Sequence, residues 1–600
     1  MLSSEELRKE FLDFFSQKGH RIVPSSSLIP YDDPSVLFTT AGMQQFKPYY
    51  SSKLDPLKDK HFSSSEPLGT RNVASCQKCF RTTDIDSVGD ASHLTFFEML
   101  GNFSFGGYFK KEAIKYAWEF ISTILHIPKE RIYVTVFQGD DEIPFDDVSY
   151  KAWLQLGLSP KKILRGNRKD NFWGPTGQEG PCGPTTEIYV DGIEIWNLVF
   201  NEYYQSPDKK LTPLQIKGVD TGMGLERLTL VMEFPKDKEK TIFDTDLFRN
   251  ALEILRKHSS NKVPSEKNLR IIADHLRATI FLISEGVRPS NTDRGYIVRR
   301  LIRRIARCIK AESLSGEWMA EVIDFFINKY KKAYPSLKSQ EQIERIIQEE
   351  IDKFQKSLEK GLKIWQKLLR ELKNNQQKIV PGDKAFFLYE TYGFPLEFIK
   401  ELAREENLQI DEVGFRKLYQ QHQQISRAGA SQKFGGHGVN TIEDEEKRRK
   451  IIKLHTATHL LLQALRQILG DSIEQRGSDI NAERLRLDFP FARKLSREEL
   501  QKVEDLVNRK IQEGLSVIHY EMPLNEALKS GAIATFTERY PDVVTVYEIK
   551  NSRTGEVFSK EICAGPHVQN TKEIGVFKIL KEESVGRGLR RIRATIEDDL

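Results

Sequence analysis

The chain has 600 residues, with 91 Lys and Arg against 86 Asp and Glu and a formal net charge of +5. That length suggests about three to four domains, and a hydrophobic fraction of 39% is the composition of a soluble globular protein. No run of about 18 apolar residues is present to span a bilayer, and a charge so small over so long a chain points to a polyanion partner only if it is gathered into a patch.

The opening stretch, MLSSEELRKEFLDFFSQKGH, reads as an amphipathic helix with a serine cap. Its acidic residues exclude a transit peptide and it has no signal-peptide core. Pro24, Pro30 and Pro34 then mark an extended path, and VLFTT at 36–40 reads as a strand. Across 73–109, VASCQKCFR is an extended segment ending on Arg81, followed by the polar loop TTDIDSVGDAS with Gly89 as its turn residue. HLTFFEML alternates well enough to be the returning strand, which places Glu98 to meet Arg81 across the pair. Gly101, Gly106 and Gly107 are expected to break the chain before the helical pattern KKEAIKYAWEFI. The Gly/Pro-rich run around Trp173, NFWGPTGQEGPCGP, reads as a loop lining something, with alternating strands after it. GVDTGMGLERL gives a strand end, a glycine turn and a helix start. Gly222 and Gly224 there permit close backbone approach to a ligand, and Arg227 lies one turn into the helix.

From 243 to 422 the pattern is helical almost throughout, including a long charged amphipathic helix at 339–374. In DRGYIVRRLIRRIARCIK, Arg300, Arg303, Arg304 and Arg307 fall at i, i+3, i+4 and i+7, beside Arg299. That basic helix face with few compensating acids is the pattern expected for phosphate contact. AGASQKFGGHGVN at 428–440 reads as a linker. Beyond it, IIKLHTATHLLLQAL puts His455 and His459 at i and i+4, and ICAGPHVQNT supplies Cys563 and His567. Together these make a four-ligand N/S set that fits Zn²⁺. The five cysteines are sparse and odd in number, which fits thiols that are free or metal-bound in a reducing cytoplasm.

FFEMLGNFSFG, with the arginine before the loop, resembles motif 2 of class II aminoacyl-tRNA synthetases in the form found in the alanyl-tRNA synthetases. GHRIVPSSSLIPYDDPSVLFTTAGMQQFKPYY is similar to motif 1, which is a scaffold, and GVDTGMGLERL to motif 3. The resemblance implies an α+β fold with a class II antiparallel-sheet catalytic domain over 1–240. It further implies a helical tRNA-recognition domain over 241–427, a linker over 428–450 and a zinc-containing editing domain over 451–600. By the same resemblance Arg81 and Arg227 are the catalytic, ATP-holding arginines, with Glu98, Met99, Gly222 and Gly224 completing the ATP site. Trp173, Asn197, Val199 and Asp220 bind L-alanine. Asn291, in PSNTDRGY, reads the tRNA(Ala) acceptor stem, joined by Arg299, Arg300, Arg303, Arg304 and Glu390. His455, His459, Cys563 and His567 hold the metal, and Gln475 serves editing.

The implied function is ATP-dependent alanylation of tRNA(Ala) through alanyl-adenylate, with hydrolytic editing of seryl- or glycyl-tRNA(Ala). ATP, Mg²⁺ and Zn²⁺ take part, in the cytoplasm, away from any membrane. The zinc either activates water or orients the substrate's amino group. The chain departs from the family wording in three places: the acidic TTDID loop, PCGPTTE where a second cysteine is common, and Glu390 where an aspartate is usual. It also has no room for the usual β-barrel insertion or C-terminal oligomerisation segment, so a monomer is expected. The alternatives are a tRNA-binding paralogue or trans-editing hydrolase with an inactive front half, and a threonyl-type enzyme, which shares only the editing metal site. Arg81, Asp220 and Arg227 argue against the first, and the motif wording against the second.

Overall fold

Ser3 starts the first helix, Ser4–Gln17, by accepting from the Glu6 N–H while the Glu6 carboxylate reaches back to the Ser3 N–H, a reciprocal capping box. This is the first element of a computed structural model that describes residues 2–30, 36–63, 66–175, 179–431, 444–471, 473–491, 493–534, 541–563, 565–586 and 589–597. The chain divides into two compact units, Met1–Asp411 and Glu412–Leu600. The expected border at 240/241 therefore lies inside the first unit, and the expected end of the helical part, 427, falls within the Glu412–Ser431 helix of the second.

The first unit is built on one mixed sheet, largely antiparallel. Its central strands run side by side in the order Asn72–Phe80, Phe96–Phe105, Leu211–Gly224, Ile193–Gln205, Gly180–Val190 and Ile132–Phe137. One face buries Leu100, Ile188, Trp196, Leu198 and Phe200 under the aromatic face of the first helix, Phe11, Phe14 and Phe15. The alternation of strand side chains sends Asn197, Val199, Asp220 and Gly222 to the opposite face. The helices Arg249–His258, Glu266–Ser284, Asp293–Glu312, Trp318–Tyr330 and Gln340–Asn374 complete this unit as the helical pattern predicts.

Several local expectations are corrected. VLFTT forms no strand among its described residues; the following segment Gly42–Phe46 is a 3-10 turn whose residues are all buried. Gly101 does not break the chain, because the returning strand continues to Phe105. A Cβ there would stand 2.7 Å from the Thr221 carbonyl, so glycine permits the close strand approach. The segment GPCGP belongs to the Gly180–Val190 strand rather than a loop, and Gly222 and Gly224 end a strand that runs straight into the Leu225–Glu233 helix with no turn between.

The strand Phe96–Phe105 is fastened to the helices by buried charge. Glu98, fully buried, takes both ends of the Arg8 guanidinium at 2.8 and 2.7 Å and the Tyr334 hydroxyl at 2.7 Å. The Glu98 N–H donates to Glu226, whose carboxylate holds Arg277 at 3.0 Å; Arg277 also donates to the Phe96 carbonyl and to Tyr330. Asp274 accepts from the Thr95 N–H and hydroxyl and from His275 Nδ1, leaving His275 Nε2 to accept from Arg304. Burial depresses the His275 pKa to about 4, so this ring is neutral.

The second unit packs the Glu445–Leu469 and Arg497–Gln512 helices against a four-stranded sheet ordered Gly477–Ile480, Leu485–Pro490, Leu589–Glu597 and Val576–Gly586. A separate three-stranded sheet holds Ser516–Pro523, Val543–Lys550 and Val557–Ile562. Most of the predicted 428–440 linker lies outside the described residues.

Removing one partner of a buried ion pair strands the other charge, at a cost of about 3–5 kcal/mol. Arg8→Met should therefore lower the urea midpoint of the Met1–Asp411 unit by an amount corresponding to that loss. A midpoint within experimental error of the parent contradicts the assignment.

Candidate active site and metal centre

The polar face of the sheet holds a cavity of about 350 Å³. Register explains how residues far apart in sequence meet there. Asn197 lies opposite Gly222 and Val199 opposite Asp220, while Met99 lies opposite Gly224 on the other side. Arg81, Trp173, Asn197, Val199, Asp220, Gly222, Gly224, Arg227 and Met99 all line the cavity. A Cβ at Gly222 would come 2.8 Å from Met99 Sδ, so the glycine leaves room for the methionine in the cavity floor.

Arg81 follows the Asn72–Phe80 strand, and its guanidinium lies over the Phe97 ring at 4.9 Å. The expected pairing with Glu98 is corrected: Phe80 is opposite Phe96, and the Arg81 N–H donates to Thr95, so Glu98 falls opposite Lys78. Glu98 points to the buried side, where Arg8 holds its carboxyl below the usual range despite the opposing effect of burial. It is not among the residues lining the cavity, and its carboxylate is engaged by Arg8 and Tyr334. Arg227, in the first turn of its helix, bonds the Glu194 carbonyl at 3.1 Å and carboxylate at 3.0 Å.

Trp173 sits on a two-residue strand paired to Gly183, against the cluster around Phe46 and Phe103. Asp220 is 5% exposed, and burial raises its pKa to about 7. Asp84, Asp170, Glu187, Glu194 and Glu226 also line the cavity and were not singled out in the sequence. Glu226 is held by Arg277, and burial raises its pKa to about 7. Glu187 lies opposite Asn197, and burial likewise raises it to about 7. The available signal for Glu187 was a carboxylate between Thr185 and Tyr189 on the face opposite Ile188 and Val190.

The arginine face of the Asp293–Glu312 helix is also corrected. Arg300 pairs with Asp86, Arg303 with Glu350, and Arg304 and Arg307 with Glu401. Arg304 further donates to the Ile85 carbonyl. The compensating acids come from the 81–95 loop and from other helices, which no local charge count reveals. Arg300 and Arg304 thus join the loop to the helices and Arg303 joins helix to helix, instead of forming an open phosphate surface. Asn291 is exposed just before this helix and accepts from Arg299; Glu390 is exposed on the Gly382–Tyr392 helix.

In the second unit His455, His459, Cys563 and His567 place one ligand atom each within 4.8 Å of one another. Cys563 Sγ is 3.4 Å from His455 Nε2, and His567 Nε2 is buried without a hydrogen-bond partner. Burial opposes ionisation of Cys563, but the neighbouring His455 outweighs it and holds the thiol well below its ordinary pKa. A thiolate with imidazoles at this spacing fits a tetrahedral Zn²⁺, whose bonds are about 2.0–2.3 Å long. Surrounding groups fix the rings: His455 Nδ1 faces the Pro566 carbonyl, Thr456 Oγ1 contacts His567 Nδ1, and Glu561 contacts His459 Nδ1 at 3.3 Å. Gln475 lies ahead of the Gly477–Ile480 strand and donates to Ser478.

A family model described as "tRNA synthetases class II (A)" matches residues 6–467, and one described as "Threonyl and Alanyl tRNA synthetase second additional domain" matches 544–593. The chain is 42% identical to an alanine–tRNA ligase of Borreliella afzelii, covering 100% of both chains. It is 41% identical to one of Treponema pallidum, over 99% of this chain and 98% of that one. To one of Thermotoga sp. it is 37% identical, over 99% of this chain and 80% of that one. With the class II motif residues gathered on one sheet face and both family models matched, the chain belongs to the alanyl-tRNA synthetase family of class II.

Proposed function

We propose that this chain attaches alanine to tRNA(Ala) through alanyl-adenylate, in the cavity of its first unit, and hydrolyses mischarged tRNA in its second. The observation that carries the reading is the convergence of Arg81, Asp220 and Arg227 with Trp173, Asn197 and Val199 on one cavity. The alanine carboxylate is already a nucleophile, so attack on the α-phosphorus of ATP, with pyrophosphate leaving, requires positioning and charge neutralisation rather than a general base. Arg81, kept in place by Phe97, neutralises the α-phosphate. Arg227 meets the polyphosphate, and Met99 with the glycine edges packs on the adenine. Glu194, beside Arg227, supplies the hard oxygens that suit Mg²⁺, which when bound screens the phosphate charge. Asp220 takes the α-ammonium, and Trp173 and Val199 close the space around the methyl group.

Asn291 and Arg299, with Glu390, are the proposed acceptor-stem contacts. Action as a monomer in the cytoplasm is part of the same proposal; no helix among the described residues is long and apolar enough to cross a membrane. Editing answers a physical limit. A site sized for a methyl group discriminates against glycine or serine by only about 1–3 kcal/mol. The second unit would hold Zn²⁺ through His455, His459, Cys563 and His567, and the metal when bound supplies a Lewis acid for water or for the aminoacyl group. Gln475 is the proposed further editing residue.

Arg81→Ala and Asp220→Ala should each abolish alanine-dependent ATP–pyrophosphate exchange while the second unit stays folded; near-normal exchange in either variant overturns the site. Because Asp220 is ionised only above about 7 in the empty pocket, an ammonium ligand binds best at higher pH. The KM for alanine should accordingly rise severalfold between pH 8 and pH 6, and a flat profile contradicts the ammonium role. Metal analysis of protein prepared without chelator should give one zinc per chain. Cys563→Ala should lose it and let seryl-tRNA accumulate, and a zinc-free parent protein refutes the ligand set.

A further inference from the structure

Asn197 reaches the cavity from the Ile193–Gln205 strand, and an asparagine can present either its carbonyl or its amino group there. Which end faces the ligand decides whether the residue suits an ammonium or a carboxylate. Directly across the ladder stands Glu187, 7% exposed, with its Oε1 3.3 Å from Asn197 Nδ2. The other oxygen, Oε2, accepts from the Tyr189 hydroxyl at 2.8 Å and from the Thr135 hydroxyl at 3.2 Å. The Thr135 oxygen in turn accepts from Asn171 Nδ2 at 2.7 Å. Asn171 is fully buried two residues before Trp173. Above its pKa of about 7 Glu187 is ionised and can only accept, so its Oε1 takes the amino end of the Asn197 amide. The consequence is visible at the far end of the side chain: Asn197 Oδ1 is buried and has no hydrogen-bond partner.

An unpaired buried carbonyl oxygen is costly, about 1–3 kcal/mol, and such groups persist where a ligand satisfies them. This one sits one strand from Asp220, whose register partner Val199 is two residues from Asn197 on the same face. We infer that Glu187 is a positioning residue for amino-acid selection. It locks the Asn197 amide so that its carbonyl, together with the Asp220 carboxylate, forms a two-acceptor cradle for the α-ammonium of the amino acid. Rigid acceptors on two neighbouring strands discriminate against ligands lacking that ammonium, since such a ligand leaves both oxygens unpaired. The inference rests on the reading of this cavity as the alanine-activating site.

The test is Glu187→Gln in the full chain, read by alanine-dependent ATP–pyrophosphate exchange. Glutamine has nearly the same shape but can offer either end to Asn197, so it no longer dictates the amide's orientation. The expected result is a rise in the KM for alanine of about tenfold or more, with the KM for ATP within twofold of the parent. Alaninol, which keeps the ammonium and lacks the carboxylate, should weaken as a competitor of alanine by a similar factor. Should Glu187→Gln fail to fold, Tyr189→Phe, which removes one hydroxyl holding Glu187, should raise the alanine KM about threefold with ATP again unaffected. An alanine KM within twofold of the parent in folded Glu187→Gln overturns the inference, as does an equal rise in the KM for ATP, which marks a general structural loss. A parent protein with no alanine-dependent exchange overturns instead the reading of the cavity.

Discussion

Buried charge under the strand Phe96–Phe105 is the constraint on which the rest of the first unit depends. Glu98 and Glu226 are almost wholly excluded from water; Glu98 is tolerable because Arg8 and Tyr334 meet it there, and Glu226 because Arg277 does. Those partners come from the first helix, from the Glu266–Ser284 helix and from the segment after the Trp318–Tyr330 helix. The catalytic sheet and the helical region are therefore parts of one body, and the cavity above is a consequence. Arg81 leaves its strand at the edge of this fastening, Met99 is the next residue after Glu98, and Arg227 follows Glu226. Their positions are set by the polar layer beneath them. Arg300 and Arg304 extend the same logic to the 81–95 loop, through Asp86 and the Ile85 carbonyl.

The sequence carried the alternation that sends Asn197 and Val199 to one face, the helical spacing of His455 and His459, and the strand–loop–strand–helix order around Arg81. These are local periodicities, and they survive folding because tertiary packing reinforces them. What the sequence did not disclose was long-range compensation. Glu98 looks like a cross-strand partner of Arg81 until register places it opposite Lys78 and its burial next to Arg8 becomes visible. The arginine helix looks uncompensated because Asp86, Glu350 and Glu401 are distant in sequence. The glycine and proline run GPCGP reads as a loop by composition, yet its neighbours in the sheet hold it extended. In each case a residue's role was fixed by a partner that no local window contains.

The two units address one selectivity problem with different chemistry. In the proposed reading the first unit selects by shape and charge: Trp173 and Val199 would limit size, and the buried acceptors would demand an ammonium. Glycine and serine meet both requirements, so that pocket alone cannot exclude them well. The second unit holds a compact cysteine–imidazole cluster whose rings are oriented by Thr456, Glu561 and the Pro566 carbonyl, an arrangement compatible with a metal ion.

The central claim is that one face of the sheet holds the alanyl-adenylate with its ammonium on Asp220, its methyl group against Trp173 and Val199, and its phosphate on Arg81. A crystal structure of the full chain with a non-hydrolysable sulfamoyl analogue of alanyl-adenylate tests it most directly. The account predicts the sulfamoyl group within hydrogen-bond reach of Arg81 and the analogue's ammonium within reach of both Asp220 and Asn197 Oδ1. An analogue bound with its amino-acid moiety directed away from Asp220 and Trp173 would contradict it.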